Sequence, residues 1–253
     1  MPHPPEFRLD GYEAAVEDAD SDVTGTAVGL TSLAEHHTDD DRHSYYVLHD
    51  ESATWGHPGM SHILAVHIRR DHESRRYRCE EARLPLVEMA QSWLTARGCP
   101  RTAIGLPPGT GTPPADDATR ALEERLVGDG DRFAILAAYT AEGSNSWEIT
   151  VMLLALDERD RVPLRVLLQH GVYDTWTHTL REGAFATFAQ ATAWWESYWG
   201  GDNLDLPPLP GAAPTRGRSP TPAASATHPP PPGLNPNPQQ PAPGPGSGPT
   251  RHL

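Results

Sequence analysis

Histidine is the side chain distributed most unevenly along this chain. Eight of its thirteen histidines fall between residues 36 and 72. These are His36, His37, His43, His49, His57, His62, His67 and His72. Histidine is a common zinc ligand and the side chain that changes charge nearest to neutral pH. The cluster therefore indicates a metal site or a pH-responsive surface, unless it is a scatter of exposed histidines without a site.

The spacing of these histidines limits which of them can share a metal. The last four are separated by five residues each time, which places successive side chains about 140° apart on a helix and on opposite faces of a strand. One regular element therefore cannot gather all four. Residues on either side of a turn can still converge, and we name His49, His57 and His62 as candidate zinc ligands, with Asp50 and Glu51 as nearby carboxylates.

Nucleophile motifs are weaker than the histidine pattern. Ser61 follows a glycine, but Ile63 stands where a nucleophile elbow requires the second glycine. Cys79 follows three nearby arginines, which would favour its thiolate form. Cys79 and Cys99 flank a predicted helix, so we expect them to be too far apart to form a disulfide. Catalytic residues are left unassigned, and we expect a protein that is not an enzyme.

The chain contains no lysine, so all twenty of its basic side chains are arginines. Schiff-base enzymes, P-loop nucleotide binding and protein-kinase chemistry each need a lysine and are excluded. The codon usage of a GC-rich genome is sufficient to explain the absence. The composition thus removes reaction classes without indicating one.

The charge of the chain is divided unevenly between its two ends. All 34 acidic residues and seventeen of the arginines lie at or before Asp205, which leaves a body of about −17. Such a body would repel a phosphate backbone, so we expect no nucleic-acid partner. It is compatible with binding a basic protein partner, or with solubility alone.

Composition divides the chain into three segments. Residues 207–253 include 16 prolines and 6 glycines and contain no acidic or aromatic residue, so we predict a disordered tail that acts as a spacer or docking arm. Residues 1–43 are poor in apolar side chains and are predicted to be weakly ordered. Residues 44–206 have the size of a single domain.

The hydrophobic pattern of that domain predicts an α+β fold. Short connections favour a mostly antiparallel sheet of about five strands, packed by two to three helices. The strands are predicted near residues 45–49, 62–69, 133–139, 147–156 and 162–173. The helices are predicted at residues 80–97, from 116 or 117 to about 127, and at 183–199. No internal repeat is evident in the sequence.

The last predicted helix carries an aromatic stripe. Trp194, Tyr198 and Trp199 are named as candidate partner-binding residues, because one helix is not expected to bury every ring of the stripe. Packing of the same rings in the core is the alternative.

These patterns favour a non-enzymatic, acidic protein-interaction or regulatory module. No segment has the length of a membrane span, and the first residues lack the pattern of a signal peptide, so we expect a cytoplasmic protein without a membrane partner. The alternative is a hydrolase with a His/carboxylate site, assisted by zinc, in residues 36–72.

Overall fold

The predicted α+β class is confirmed by a computed structural model, which describes residues 3–15, 29–53, 59–129, 132–157, 160–202 and 204–209. Its strands are β1 Glu13–Ala14, β2 Leu30–His37, β3 His43–Asp50, β4 Ile63–Asp71, β5 Arg76–Leu84, β6 Phe133–Glu142, β7 Ser146–Ala155, β8 Leu164–Val172 and β9 Thr177–Phe185. Its helices are α1 Val87–Ala96, α2 Asp117–Asp129 and α3 Phe188–Trp199, with a short 3-10 turn at Arg101–Ala103. From residue 210 onward the predicted disordered tail lies outside the described residues, and the domain boundaries stay predictions.

The strands form two sheets where the sequence pattern led us to expect one. Sheet A has five strands in the order β1-β5-β4-β3-β2, and sheet B has four in the order β6-β7-β8-β9. Every pairing between named strands is antiparallel except that of β1 with β5. Strands β1 and β2 come from the N-terminal segment.

Two helix starts predicted from the sequence were wrong in the same way. Residues 80–84 and 183–185 end strands β5 and β9, and α1 and α3 begin only at Val87 and Phe188. Strand β5 was hidden because only Cys79 and Leu84 along it are buried, so it lacks a clear period of two. Helix α3 starts where the Thr187 side chain accepts a hydrogen bond from the Gln190 backbone N–H.

The elements stack in five layers. Phe7 and Leu9 of the N-terminal segment cover one face of sheet A, and α1 covers the other. Leu122 and Leu126 of α2 pack on the inner face of sheet B, and α3 packs on its outer face. Met89 of α1 contacts the clusters of both sheets, so α1 and α2 form the layer that joins them.

The two halves of the molecule repeat the same plan. Strands β4 and β5 with α1 recur as β8 and β9 with α3, and the first residues of all three elements are 101 positions apart. The turn between the two strands holds a non-glycine residue with positive φ at the same position, Arg75 in one half and Trp176 in the other. A bulge interrupts the first strand of each four-strand meander, in β2 and in β6.

The repeat extends to the segment beside each sheet. The Ala15 N–H donates to the Tyr77 carbonyl, and the Ala115 N–H donates to the carbonyl of His178, the residue equivalent to Tyr77. We call β1–β5 with α1 and residues 3–15 unit 1, and residues 113–115 with α2, β6–β9 and α3 unit 2. Residues 16–28, which the same offset would align with α2, lie outside the described residues. The described residues therefore form an internal structural repeat, which the sequence analysis did not detect.

Candidate functional site

Two of the three candidate zinc ligands lie together. His49 of β3 and His62, which precedes β4, have ring centroids 5.3 Å apart. His62 Nε2 is buried without a hydrogen-bond partner and lies 3.9 Å from Oε1 of Glu142 at the end of β6. His57 lies outside the described residues. Within the described ranges no group of three or more His, Cys, Asp or Glu side chains is placed to hold a metal ion, so the zinc site stays a prediction.

A second cluster of side chains, which we call the histidine–tyrosine ladder, lies on sheet A, and the sequence analysis did not name its members as candidate ligands. His36, Tyr45, His67 and Glu80 face one another across β2, β3, β4 and β5 in direct register. The Tyr45 and His67 rings stack with centroids 4.6 Å apart and planes 1° apart. His43 adds a hydrogen bond from its Nδ1 position to His67 Nε2 at 3.0 Å. Only the register of the strands could have revealed this cluster, since its residues are far apart in sequence.

The ladder holds its central histidine neutral. The pKa of His67 is lowered to about 4, chiefly by burial and then by the nearby His43, while Glu80 acts in the opposite direction. His67 Nδ1 is buried without a hydrogen bond, and Glu80 Oε1 lies 3.9 Å away. Glu80 is instead held by Arg97 at 2.9 Å. This arrangement is a packed, uncharged histidine and not an open proton-transfer site.

A buried acid lies between the two units. Oε2 of Glu88, on α1, is sealed from solvent and has no hydrogen-bond partner. The pKa of the Glu88 carboxyl is raised to about 7, chiefly by burial, and the nearby Glu123 acts in the same direction. Glu123, on α2, accepts a hydrogen bond from Nε2 of the buried His178 at 2.7 Å. Glu88, Glu123 and His178 lie on α1, α2 and β9, so we expect the contact between the units to depend on pH at this place.

The candidate nucleophiles are enclosed in the fold. Ser61 is buried, and its carbonyl accepts a hydrogen bond from Arg83. Cys79 and Cys99 are both buried and are not joined in a disulfide, and burial raises the pKa of Cys99 to about 12. A thiol with a raised pKa carries little thiolate at neutral pH, so Cys99 is a poor nucleophile.

The three candidate partner-binding aromatics belong largely to the core of sheet B. Trp194 is 7% exposed, and its indole N–H donates to the Asp205 carbonyl. The Tyr198 hydroxyl donates to Glu148 at 2.7 Å. Trp199 packs edge-on against Tyr139 with centroids 4.8 Å apart. These contacts favour the core alternative, and a role in partner binding stays a prediction.

The most exposed aromatic side chain of the described residues lies elsewhere, in the turn between β8 and β9. We call residues 72–75 turn 1 and the equivalent residues 173–176 turn 2. Trp176 is 55% exposed and Tyr173 is 38% exposed, and their ring centroids are 6.4 Å apart. Trp176 also holds φ at 50°, a left-handed conformation that a non-glycine residue adopts at a cost of about 1 kcal/mol.

Turn 1 has the same backbone, and the N-terminal segment contacts it, although Glu73, Ser74 and Arg75 are exposed. The Tyr12 hydroxyl contacts Nδ1 of His72, and the Arg75 guanidinium lies 4.6 Å from the Tyr12 ring centroid. The Glu13 N–H donates to the Arg75 carbonyl at 2.9 Å. A cation thus already stacks on an aromatic ring at turn 1. Turn 2 carries the aromatic rings and lacks the equivalent cover among the described residues.

Acidic groups flank turn 2. Asp174 is exposed within the turn itself. Glu142 is also exposed, and its charge adds to the effect of burial in raising the pKa of Tyr173. An aromatic face beside carboxylates attracts cations, because the ring quadrupole and the negative charges act in the same direction.

Comparison with known proteins identifies no relative. No protein-family model matches the chain, and neither a curated protein nor a solved structure matches it. Separately, none of the helices in the described ranges has both the length and the apolar character needed to cross a membrane.

Proposed function

We propose that this protein is a non-enzymatic interaction module that binds an arginine- or lysine-bearing segment of a protein partner at turn 2. The observation that carries the proposal is the exposed Trp176–Tyr173 pair, because Arg75 at the equivalent turn of unit 1 makes a cation–aromatic contact with Tyr12, and turn 2 has no such contact within the described residues. An exposed tryptophan in a left-handed backbone conformation is unfavourable in the isolated molecule, and a partner that covers the ring would offset that cost.

Charge supports a basic partner over a neutral one. The body carries about −17, with Glu142 and Asp174 beside the turn. A cationic segment would be steered toward this surface at low salt, and its guanidinium or ammonium group would stack on the Trp176 ring. Such a contact is worth about 1–2 kcal/mol when it is partly desolvated.

The test is a titration of the full chain with the peptide Gly-Arg-Gly-Arg-Gly, followed by the indole N–H resonance of Trp176. A peptide with citrulline in place of arginine keeps the shape and removes the charge. We expect the arginine peptide to shift this resonance and the citrulline peptide to leave it unchanged.

Variants separate turn 2 from the general acidity of the body. Trp176→Ala should weaken binding of the arginine peptide about tenfold, as measured by calorimetry. Phe188→Ala is the matched control, because Phe188 is 40% exposed but lies at the start of α3. Equal affinity for the two variants, or equal binding of the citrulline peptide, would refute the proposed site.

A further inference from the structure

We infer that turn 2 is occupied in the resting molecule by this chain's own tail, through Arg216 and Arg218. The inference rests on the proposed function, since it names the ligand that a partner must displace from the same aromatic surface. Three observations support it: the charge of the tail, the place where the tail leaves the fold, and the length of chain up to these arginines.

The tail is the cationic part of an otherwise acidic molecule. From Pro207 to the end it has no acidic residue and contains Arg216, Arg218 and Arg251, against a body of about −17. Pro214 and Pro220 flank the first two arginines. Proline-rich segments are extended before they bind, and they dock on exposed aromatic rings at little cost in conformational entropy. The composition of the tail therefore matches both properties of turn 2.

The tail starts beside β9, the strand that begins directly after turn 2. The Ala184 N–H donates to the Pro207 carbonyl at 3.2 Å, so the chain leaves the fold next to the C-terminal end of β9. Leu206 lies against Gly183, where an added Cβ would approach its side chain to 2.9 Å. Turn 2 is at the opposite end of β9. Residues 113–115 border β9 next to this turn, so the tail would reach turn 2 alongside that segment.

The distances agree with this path. From Ala184 back to Trp176 is eight residues of extended chain, or about 26 Å at 3.3 Å per residue. From Pro207 to Arg216 and Arg218 is nine and eleven residues, or about 28–34 Å as polyproline II at 3.1 Å per residue. These are the first cations of the tail that reach turn 2. Arg251 would close a much longer loop at a higher entropic cost.

Unit 1 shows the contact that we expect. There Arg75 stacks on Tyr12, with the cation and the ring supplied by two segments of the same chain. Arg97 stacks on Trp93 at 3.4 Å from the ring centroid, a second arginine–aromatic pair. In unit 2 the turn supplies the ring and the tail would supply the cation. The tail would thus limit access of a partner to the site.

The first experiment compares the Trp176 indole N–H resonance in three full-length proteins, with Trp176→Phe used for assignment. The double variant R216S/R218S should shift the resonance relative to the wild type, and R251S should leave it unchanged. Added salt should move the wild-type resonance toward that of the double variant, because it screens the attraction. An identical resonance in all three proteins would overturn the inference.

The second experiment measures binding of Gly-Arg-Gly-Arg-Gly to the same proteins. Removal of the competing tail arginines should tighten binding about threefold in R216S/R218S, since a fractionally blocked site binds with reduced apparent affinity. Equal binding to the wild type and the double variant would overturn the tail inference and leave the proposed function standing. A tail-dependent resonance without any peptide binding would overturn the proposed function alone.

Discussion

Units 1 and 2 share a backbone plan and differ in what fills equivalent positions. Arg70 in β4 corresponds to Gly171 in β8. Arg70 is fully buried and holds the N-terminal segment by donating to the Phe7 and Arg8 carbonyls. At Gly171 the Trp147 ring occupies the space instead, because a Cβ there would meet its atoms at 2.0 Å. The duplicated fold therefore tolerates different occupants, provided that each position is filled.

The largest expected effect on stability comes from removing the side chain of Arg70 in unit 1. Arg70→Ala should destabilise the protein by about 4 kcal/mol, because breaking a buried charged network leaves its partners unpaired. Arg69→Ala is the matched control, since Arg69 is exposed on the same strand. Urea unfolding at pH 7 measures both variants. A similar midpoint for the two would show that Arg70 does not hold the N-terminal segment.

The contact between the units gives the next largest effect, and it depends on pH. The pKa of Glu88, about 7 in the folded protein, lies above its ordinary value of 4.5. Its contribution to stability is therefore fully present below pH 4.5 and is lost as the pH rises through 7, a loss of about 3 kcal/mol. Glu88→Gln should be more stable than the wild type at pH 8, by an amount that shrinks toward pH 4.5.

Comparison with a second variant isolates Glu88 from other titrating groups. The pKa of His67 is lowered from its ordinary value of 6.5 to about 4, so its contribution makes stability rise with pH in that range. The quantity to plot is therefore the difference in unfolding free energy between variant and wild type. Glu124→Gln, at an exposed position of α2, is the control. A constant difference between Glu88→Gln and the wild type across this pH range would contradict the assignment.

The packing of the Trp147 ring against Gly171 in unit 2 can be tested by adding a methyl group at position 171. Gly171→Ala should cost about 2 kcal/mol, because the new methyl group overlaps the Trp147 ring and a packed core has little room to adjust. Gly105→Ala is a suitable control, since nothing lies within 4 Å of a Cβ at that position. In the background of Trp147→Ala the cost of Gly171→Ala should largely disappear, as thermal unfolding would show. Persistence of the cost would mean that the ring is not the obstacle.

The smallest expected effect concerns the cover of turn 1. Tyr12→Ala removes the contacts with His72 and Arg75 and should cost about 1 kcal/mol, since both contacts are only partly buried. Hydrogen exchange should accelerate in residues 3–15 and in turn 1, which would then resemble turn 2. Unchanged exchange at turn 1 would remove the contrast between the covered and the exposed turn.

The sequence revealed the strands with strong apolar patterns better than the others. Strands β3, β4, β6, β7 and β8 were predicted because their apolar residues form runs or alternate. Strands β5 and β9 were assigned in part to the following helices, and β1 and β2 were missed in a segment with few apolar residues. Position in the sheet does not account for the difference, because β6 is an edge strand and β5 lies inside sheet A. Strand β5 has few buried residues, so its apolar pattern is weak.

The structural repeat and the candidate site could not be predicted from the sequence, because neither leaves a strong local pattern in it. Between residues 63–96 and 164–197 only three positions are identical, namely Glu81/Glu182, Ala90/Ala191 and Trp93/Trp194. Burial is kept where identity is not, as in Cys79 and its equivalent Leu180. His49 and His62 were predicted as neighbours from a turn. Trp176 carried no such signal, because only a comparison of turn 2 with turn 1 in the folded molecule singles it out.

The shared layer of α1 and α2 depends on apolar residues that α3 lacks at the equivalent positions. Leu86 and Met89 at the start of α1 pack against the cluster that contains α2. The equivalent positions at the start of α3 are Thr187 and Gln190, which are exposed and polar. At these two positions α3 is therefore more polar than α1, although Phe188 beside them is 40% exposed. Leucine and methionine at positions 187 and 190 would enlarge the apolar surface at this end of the molecule, and such a surface favours association between copies of the chain.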